Sequence, residues 1–354
     1  MGVGGLRLAS VIAAAAVLGS GSIAAGVRSN ATPPDPIIAN GSVLASVTTE
    51  DGSRIAAVDI RDARNLTLTV YSGAMGRELS VQVQRPADTG AARPTVYLLA
   101  GVDGGTDGST WATKTDVMRF FGDKNVNVVQ PIGGAYSYYA DWRAADPVLG
   151  VNKWQTYLTR ELPPLIDAAL GTNGRNAIAG ISTSGTSVLS LAISNPGRYR
   201  SVGAFSGCAQ ISDPVGQAFV EMSVRKGHGD PVNMYGPPQD PMWAAHDPYV
   251  NAEGLRGLNL YLSAGSGMPG PYDNPTDPHT QTPAEGGLPL QVTMGGAIEG
   301  ATAWCTRNLR DRLNQLGIPA TFDLEPTGTH SWGYWERALK DSWPVLSNGL
   351  GDIS

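Results

Sequence analysis

Three separate stretches of this chain carry residue types that could share one reaction. The first is AGISTSGTSVLSLA, Ala179–Ala192, where hydroxyl residues crowd between small apolar ones. Gly180-Ile181-Ser182 follows the apolar run NAIAG and precedes a helical pattern. A serine on a sharp strand-to-helix turn is a nucleophile elbow, and so tight a turn needs small residues on either side. Gly180 sits two before Ser182, and Ser184-Gly185 follow it, so the spacing is G-x-S-x-S-G rather than strict G-x-S-x-G. Ser184 and Ser187 fall inside the predicted helix. Ser182 is therefore the candidate nucleophile. The competing use of such a serine is to cap the helix.

An elbow also aims a helix N-terminus at the reacting oxygen. The N–H of Thr183 is then one oxyanion donor. A second is expected from the loop after an earlier strand, and Leu99–Gly105 (LAGVDGG) is that loop, with the N–H of Val102 as candidate. A plain Gly-rich turn is the other reading of it.

A base must follow. The chain has only four histidines, His228, His246, His279 and His330. In the order Ser…acid…His, the histidine belongs to the loop after the last strand. His330, in GTHSWGYW, lies two residues beyond the run ATFDLEPTG. The acid should lie between the penultimate strand and His330, which leaves Asp273, Asp277, Glu285 and Glu299. Glu299 opens a predicted helix, where a carboxylate gains from the helix dipole. Topology alone leaves Glu299 and Asp273 nearly even.

These residues need a frame. The alternating runs LTLTVYS and ELSVQVQRP, split by GAMGR, predict an N-terminal hairpin. Strands are then predicted at 95–101, 126–134, 176–182, 201–207, 258–265 and 320–328. Helices are predicted over 113–124, 153–171, 184–196, 298–317 and 335–346. Strand–helix alternation with continuous apolar strands predicts a mostly parallel sheet covered on both faces, opened by antiparallel strands. Such sheets carry their sites at the carboxyl ends of the strands. The stretches 208–257 and 265–297 break the rhythm and read as long loops, which are more often functional than structural.

The whole chain, at 354 residues and 42% hydrophobic, can bury a large core. A net charge of −6 gives no basic footprint for nucleic acid or an anionic membrane. Residues 1–26 read as an export signal: Arg7, then the small apolar stretch Leu8–Gly26. An uncleaved anchor is the alternative. Residues 27–45 form a polar, Pro-rich tether, and 46–354 one catalytic domain. Cys208 and Cys305 show no metal-ligand spacing, and export makes one long-range disulfide the natural reading over two buried thiols. No metal or cofactor site is expected.

Taken together, TVYLLAG, QPIGGAYSYYADW, KWQTYLTRELP, GISTSG, WAAHDP and GTHSWGYW resemble the secreted mycolyltransferases of actinobacteria, the antigen-85-type branch of the α/β-hydrolases. The likeness runs from about residue 60 to the end. It implies an α/β-hydrolase fold, with Ser182 as nucleophile, His330 as base and Glu299, in Ile298-Glu299-Gly300, as acid. It also implies oxyanion donors at Val102 and Thr183, and a substrate-lining Trp332 next to Ser331. One departure matters. The best-known members carry Asp and Arg, which help hold trehalose, where this chain has Ala100 and Asp103. Asp103 and Asp107 are then candidates for binding sugar hydroxyls in another way. Cys208 and Cys305 resemble a disulfide of another branch, bracing the acid-bearing helix.

The activity so implied is ping-pong transfer of a mycolyl group from a trehalose monomycolate-type donor to a trehalose or arabinogalactan hydroxyl in the cell envelope. Two rivals remain: a secreted carboxylesterase with the same triad, and a non-catalytic envelope sugar-binding protein on the same fold.

Overall fold

The computed structural model describes residues 47–351 and residue 353. The signal and tether expected over 1–45 lie outside the described residues. Among these, no helix is long and apolar enough to cross a membrane.

Nine strands make one sheet: β1 (Arg54–Ile60), β2 (Asn65–Ser72), β3 (Arg77–Gln84), β4 (Thr95–Leu99), β5 (Asn127–Ile132), β6 (Asn176–Ile181), β7 (Ser201–Phe205), β8 (Asn259–Ala264) and β9 (Thr321–Leu324). Their spatial order is β1-β2-β3-β5-β4-β6-β7-β8-β9. The pairs up to β3–β5 are antiparallel, and every pair beyond is parallel. The strand pleat explains the unbroken apolar runs. Tyr97 and Leu99 of β4 enter one core with Leu165 and Val188, while Val96 and Leu98 enter the opposite core with Trp335 and Leu339. Helices thus cover both faces, as an α/β-hydrolase sheet requires.

Four local expectations need correction. β1 was not foreseen. The helix expected over 113–124 is broken into Trp111–Lys114 and Val117–Phe120, because Thr115 between them is extended. Its hydroxyl donates back to the Trp111 carbonyl and accepts the Val117 N–H. The stretch 208–257 is not a plain loop but holds helices Pro214–Lys226, Pro231–Tyr235 and Pro241–Ala245. Each starts with an aspartate whose carboxylate caps the backbone (Asp213, Asp230, Asp240), followed by proline in the first turn. Finally, the helix expected from residue 298 begins earlier. Gly287–Leu290 leads through a π-helical segment, Gln291–Gly295, into Gly296–Leu316. Glu299 therefore has helix on both sides, and a free N-terminal dipole is not what holds it.

Candidate active site

Ser182 stands between the end of β6 and the helix Thr183–Ser194, with φ 56° and ψ −125°. That left-handed backbone is rare for a non-glycine residue and is held by its surroundings. The Ser182 N–H donates to the Phe205 carbonyl of β7. The small neighbours are sterically required: a Cβ on Gly180 would lie 2.6 Å from Ser184 Oγ, and one on Gly185 2.7 Å from the Phe205 carbonyl oxygen. Ser184 is fully buried. Its hydroxyl accepts the Ile181 N–H at 2.9 Å and donates to the Ile181 carbonyl, so it serves the turn. Ser187 likewise donates to the Tyr138 and Thr183 carbonyls. Ser182 makes no capping bond; its Oγ instead lies 2.8 Å from His330 Nε2.

His330 Nδ1 lies 2.7 Å from Glu299 Oε2, completing a continuous chain of three side chains. The histidine loop is fixed by its own N–H, which donates to the Gly295 carbonyl at the end of the π-helical segment. Trp335 packs edge-on against the imidazole at 4.9 Å. Glu299 is 1% exposed. Its Oε1 accepts the Gly265 N–H at 2.7 Å and the Ser206 hydroxyl at 2.8 Å. These donors offset the cost of burying the charge.

The other acids are engaged elsewhere. Asp273 accepts the Gly270 N–H, the Gln291 amide and the hydroxyls of Thr329 and Tyr334. Asp277 holds His279, and Glu285 pairs with Lys114 at 2.5 Å.

The loop carrying Val102 lies over the serine: a Cβ on Gly101 would be 3.7 Å from Ser182 Cβ. The segment Gly133–Trp142 buttresses it. Tyr136 N–H donates to the Val102 carbonyl at 2.7 Å, and Gly133 N–H to the Gly104 carbonyl at 2.9 Å. Three tyrosines there have positive φ: Tyr136 at 62°, Tyr138 at 53° and Tyr139 at 49°. The PIGGAYSYYADW motif is thus a brace between the Val102 loop and the serine helix. Among the described residues, the N–H groups of Val102 and Thr183 have no acceptor.

A cavity of about 420 Å³ opens on Ser182 and His330. Its lining is mixed: Ile181, Leu290, Met294, Ile298 and Trp332 are apolar, and Asp103, Asp107, Lys114, Lys226, Gln281 and Glu285 are polar. Trp332 is wedged edge-on between Trp111 and Trp335. Ser331 is buried and also lines the cavity. Asp103 is 3.4 Å from Lys226 Nζ and accepts the Tyr136 hydroxyl. That hydrogen bond and burial push the Tyr136 pKa up to about 12, so it stays a neutral donor. The wall-forming role expected of both irregular stretches is uneven: residues 265–297 supply much of the cavity, whereas 208–257 supply only Lys226.

Two residues escaped the sequence reading, Ser206 and His279. Ser206, at φ 52°, joins Trp335 Nε1 to Glu299. It stands just past an apolar strand, which is the only signal that could have marked it. The expected disulfide is formed between Cys208 and Cys305, 97 residues apart, with Cys305 six positions beyond Glu299 on its helix. His279 lines the cavity between Asp277 and Glu336, at 2.9 Å from each.

The family model for putative esterases matches residues 72–345. The chain is similar to the diacylglycerol acyltransferase/mycolyltransferase Ag85A of Mycobacterium leprae, 32% identical over 295 residues, covering 80% of this chain and 83% of that protein. It is similar to Ag85B of Mycobacterium intracellulare, 31% identical over 298 residues, covering 81% and 84%. Among solved structures, Mycobacterium tuberculosis MPT51 superposes with a TM-score of 0.67 at 26% identity, covering 82% of this chain and all of that one. An S-formylglutathione hydrolase from Agrobacterium tumefaciens shares the fold, with a TM-score of 0.60 at 18% identity over 84% of this chain and 99% of that one. With a serine elbow on this sheet and relatives of this length and identity, the chain belongs to the antigen-85-type mycolyltransferases, an acyltransferase branch of the esterase-like α/β-hydrolases.

Proposed function

We propose that Ser182, His330 and Glu299 are a catalytic triad that moves a long-chain acyl group, a mycolyl group by family, between sugar hydroxyls. The observation that carries this reading is the unbroken chain Ser182 Oγ–His330 Nε2–Nδ1–Glu299 Oε2, at 2.8 and 2.7 Å, on an elbow serine. His330 takes the hydroxyl proton as Ser182 Oγ attacks the ester carbonyl of a trehalose monomycolate-type donor. Glu299 orients the ring and stabilises the imidazolium. The N–H groups of Val102 and Thr183 receive the oxyanion, where one donor is typically worth about 3 kcal/mol. The intermediate collapses as His330 returns its proton to the departing sugar oxygen. An acceptor hydroxyl then loses its proton to His330 and attacks the acyl-enzyme, and that proton restores Ser182.

The mixed lining of the cavity supports both substrates, with apolar residues for the chain and polar ones for a sugar. The family's trehalose grip does not carry over, since Ala100 stands in place of its Asp and Asp103 in place of its Arg. Asp103 meets Tyr136 and Lys226 instead. Trehalose, arabinogalactan and the diacylglycerol of the relatives' names are all candidate acceptors. The N-terminal apolar stretch and the Cys208–Cys305 bond support an exported protein working at the cell envelope.

The test is mass analysis of products after supplying a trehalose monoester with each acceptor. Acylated acceptor is the expected product. Free acid alone, at every acceptor concentration, would replace transfer with hydrolysis.

A further inference from the structure

His279 has no part in the triad, yet both of its ring nitrogens are committed. Nδ1 lies 2.9 Å from Asp277 Oδ1, and Nε2 lies 2.9 Å from Glu336 Oε2. Both partner atoms act as acceptors. Asp277 Oδ1 also accepts the His279 N–H at 2.8 Å, and Glu336 Oε2 the Asp116 N–H at 3.0 Å. Glu336 Oε1 takes the Lys340 ammonium at 2.6 Å. An imidazole that donates to two acceptors carries a proton on each nitrogen, so only the charged ring makes both bonds. The His279 side chain is 16% exposed and each carboxylate 13%, too shielded for an ordinary surface ion pair.

This bridge joins two elements. Glu336 stands on the helix Trp332–Asn348, which begins two residues after His330. His279 stands on the segment 272–291, which brings His279, Gln281, Glu285 and Leu290 to the cavity. The near end of the segment is fixed by Tyr272, whose ring packs on Tyr334 at 5.0 Å. Its far end is fixed by Gln291, whose amide donates to Asp273 and accepts the Gln281 N–H. Between these ends it is tied by His279 to Glu336 and by Glu285 to Lys114 at 2.5 Å. We propose that doubly protonated His279 is a positioning residue, pinning this lining segment to the helix behind His330 so that the acyl-sugar donor binds more weakly once the ring loses a proton. The groups facing the ring are Asp277 on its own segment, Glu336 on the helix, and Tyr272, edge-on at 6.4 Å. Behind Glu336, Asp116 is paired with Lys340 and Arg119, and the Lys114–Glu285 pair shares the cavity. Loss of the ring proton turns one nitrogen lone pair toward a carboxylate. The bridge is therefore whole at low pH and is lost as pH rises through the titration of the ring. The substrate named rests on the proposed function, whereas the lock itself does not.

The experiment has two arms on the full chain. The first is deuterium exchange by mass spectrometry on peptides covering 272–291, corrected for the intrinsic effect of pH. It compares about pH 5.5 with about pH 8.5, on either side of the ordinary histidine range. Protection in the unaltered protein should fall by about tenfold at the higher pH, the scale of one charged hydrogen bond. His279→Gln, which cannot titrate, should be equally unprotected at both. Glu336→Gln removes the distant charge and should lower protection at about pH 5.5. The second arm measures KM and kcat for a trehalose monoester over the same range. His330 imposes its own pH limb on every variant alike, so the ratio of the two KM values isolates His279. That ratio should be about tenfold at low pH and close to one at high pH, with kcat much less affected. Protection that ignores pH in the unaltered protein overturns the proposal. So does a pH response that survives in His279→Gln, or a segment that loosens while KM stays fixed. A pH-dependent lock in a protein that turns over no monoester would leave the lock standing and remove the proposed function; transfer without a lock would do the reverse.

Discussion

Gly104 and Gly133 meet backbone to backbone: a Cβ on Gly104 would lie 2.1 Å from the Gly133 carbonyl oxygen. The Gly133 N–H completes the contact by donating to the Gly104 carbonyl at 2.9 Å. This touch sets the height of the Val102 loop over Ser182. Gly104 also has φ +60°, a conformation that costs other residues energy.

If Val102 N–H serves as the proposed oxyanion donor, Gly104→Ala should disturb that donor more than the fold. The expected result is a kcat loss of about 100-fold, the scale of one lost donor, with KM changed little. Steady-state kinetics on a soluble ester, set beside thermal unfolding, separates the two. A fall in stability with full activity would show that Val102 does not serve as donor.

Replacement of the elbow serines should split chemistry from architecture. Ser182→Ala should abolish both labelling by a serine-directed phosphonate and turnover. Ser184→Ala should keep labelling but lose about 1–2 kcal/mol of stability, because the buried Ile181 N–H loses its partner. Labelling that persists in Ser182→Ala would sink the assignment.

Ser206 is a positioning residue in this arrangement. Ser206→Gly suits φ 52° and removes only the hydroxyl that joins Trp335 to Glu299. Stability should hold within about 1 kcal/mol while kcat falls by about tenfold. A change confined to KM would argue against a role through Glu299.

The disulfide closes a loop of 97 residues. Loop-closure entropy predicts that Cys208→Ser with Cys305→Ser costs about 4 kcal/mol, read by urea unfolding. Two titratable thiols in the unreduced, denatured protein would show that the bond is not made.

Acid should loosen the segment around Asp146. Burial alone would raise its pKa from the ordinary 3.8, but the amides of Asp230 and Leu149, the Asn233 side chain and the Val148 amide outweigh it, bringing it down to about 2. Because the folded value lies below the unfolded one, this stabilisation is complete above about pH 4 and drains away as pH falls toward 2. Asp146→Asn should flatten the acid limb of a stability–pH curve over that window. An unchanged limb would refute it.

Much of this was legible in the sequence because its signals are local. The parallel strands are runs of apolar residues, and the elbow is a matter of small neighbours. β1 was missed because it is an edge strand, largely exposed, whose sequence RIAAVDI lacks clean alternation. The helices within 208–257 were missed although Asp213-Pro214, Asp230-Pro231 and Asp240-Pro241 mark their starts. Glu299 against Asp273 was beyond local reading. The distinction depends on Gln291, Thr329, Tyr334 and the Gly270 N–H claiming Asp273, and on Gly265 and Ser206 facing Glu299, contacts that only the fold creates.

The disulfide on the Glu299 helix has one more consequence. Cys305 lies six residues beyond the acid, about 9 Å along the axis at 1.5 Å per residue. The acid thus sits close to a covalent pivot, while Leu290 and Met294 ride farther out on the same rod. A change of helix length before Gly295 would therefore move the rim of the cavity more than it moves the acid against His330. The bond thus anchors the acid's end of the helix more tightly than the end that borders the cavity.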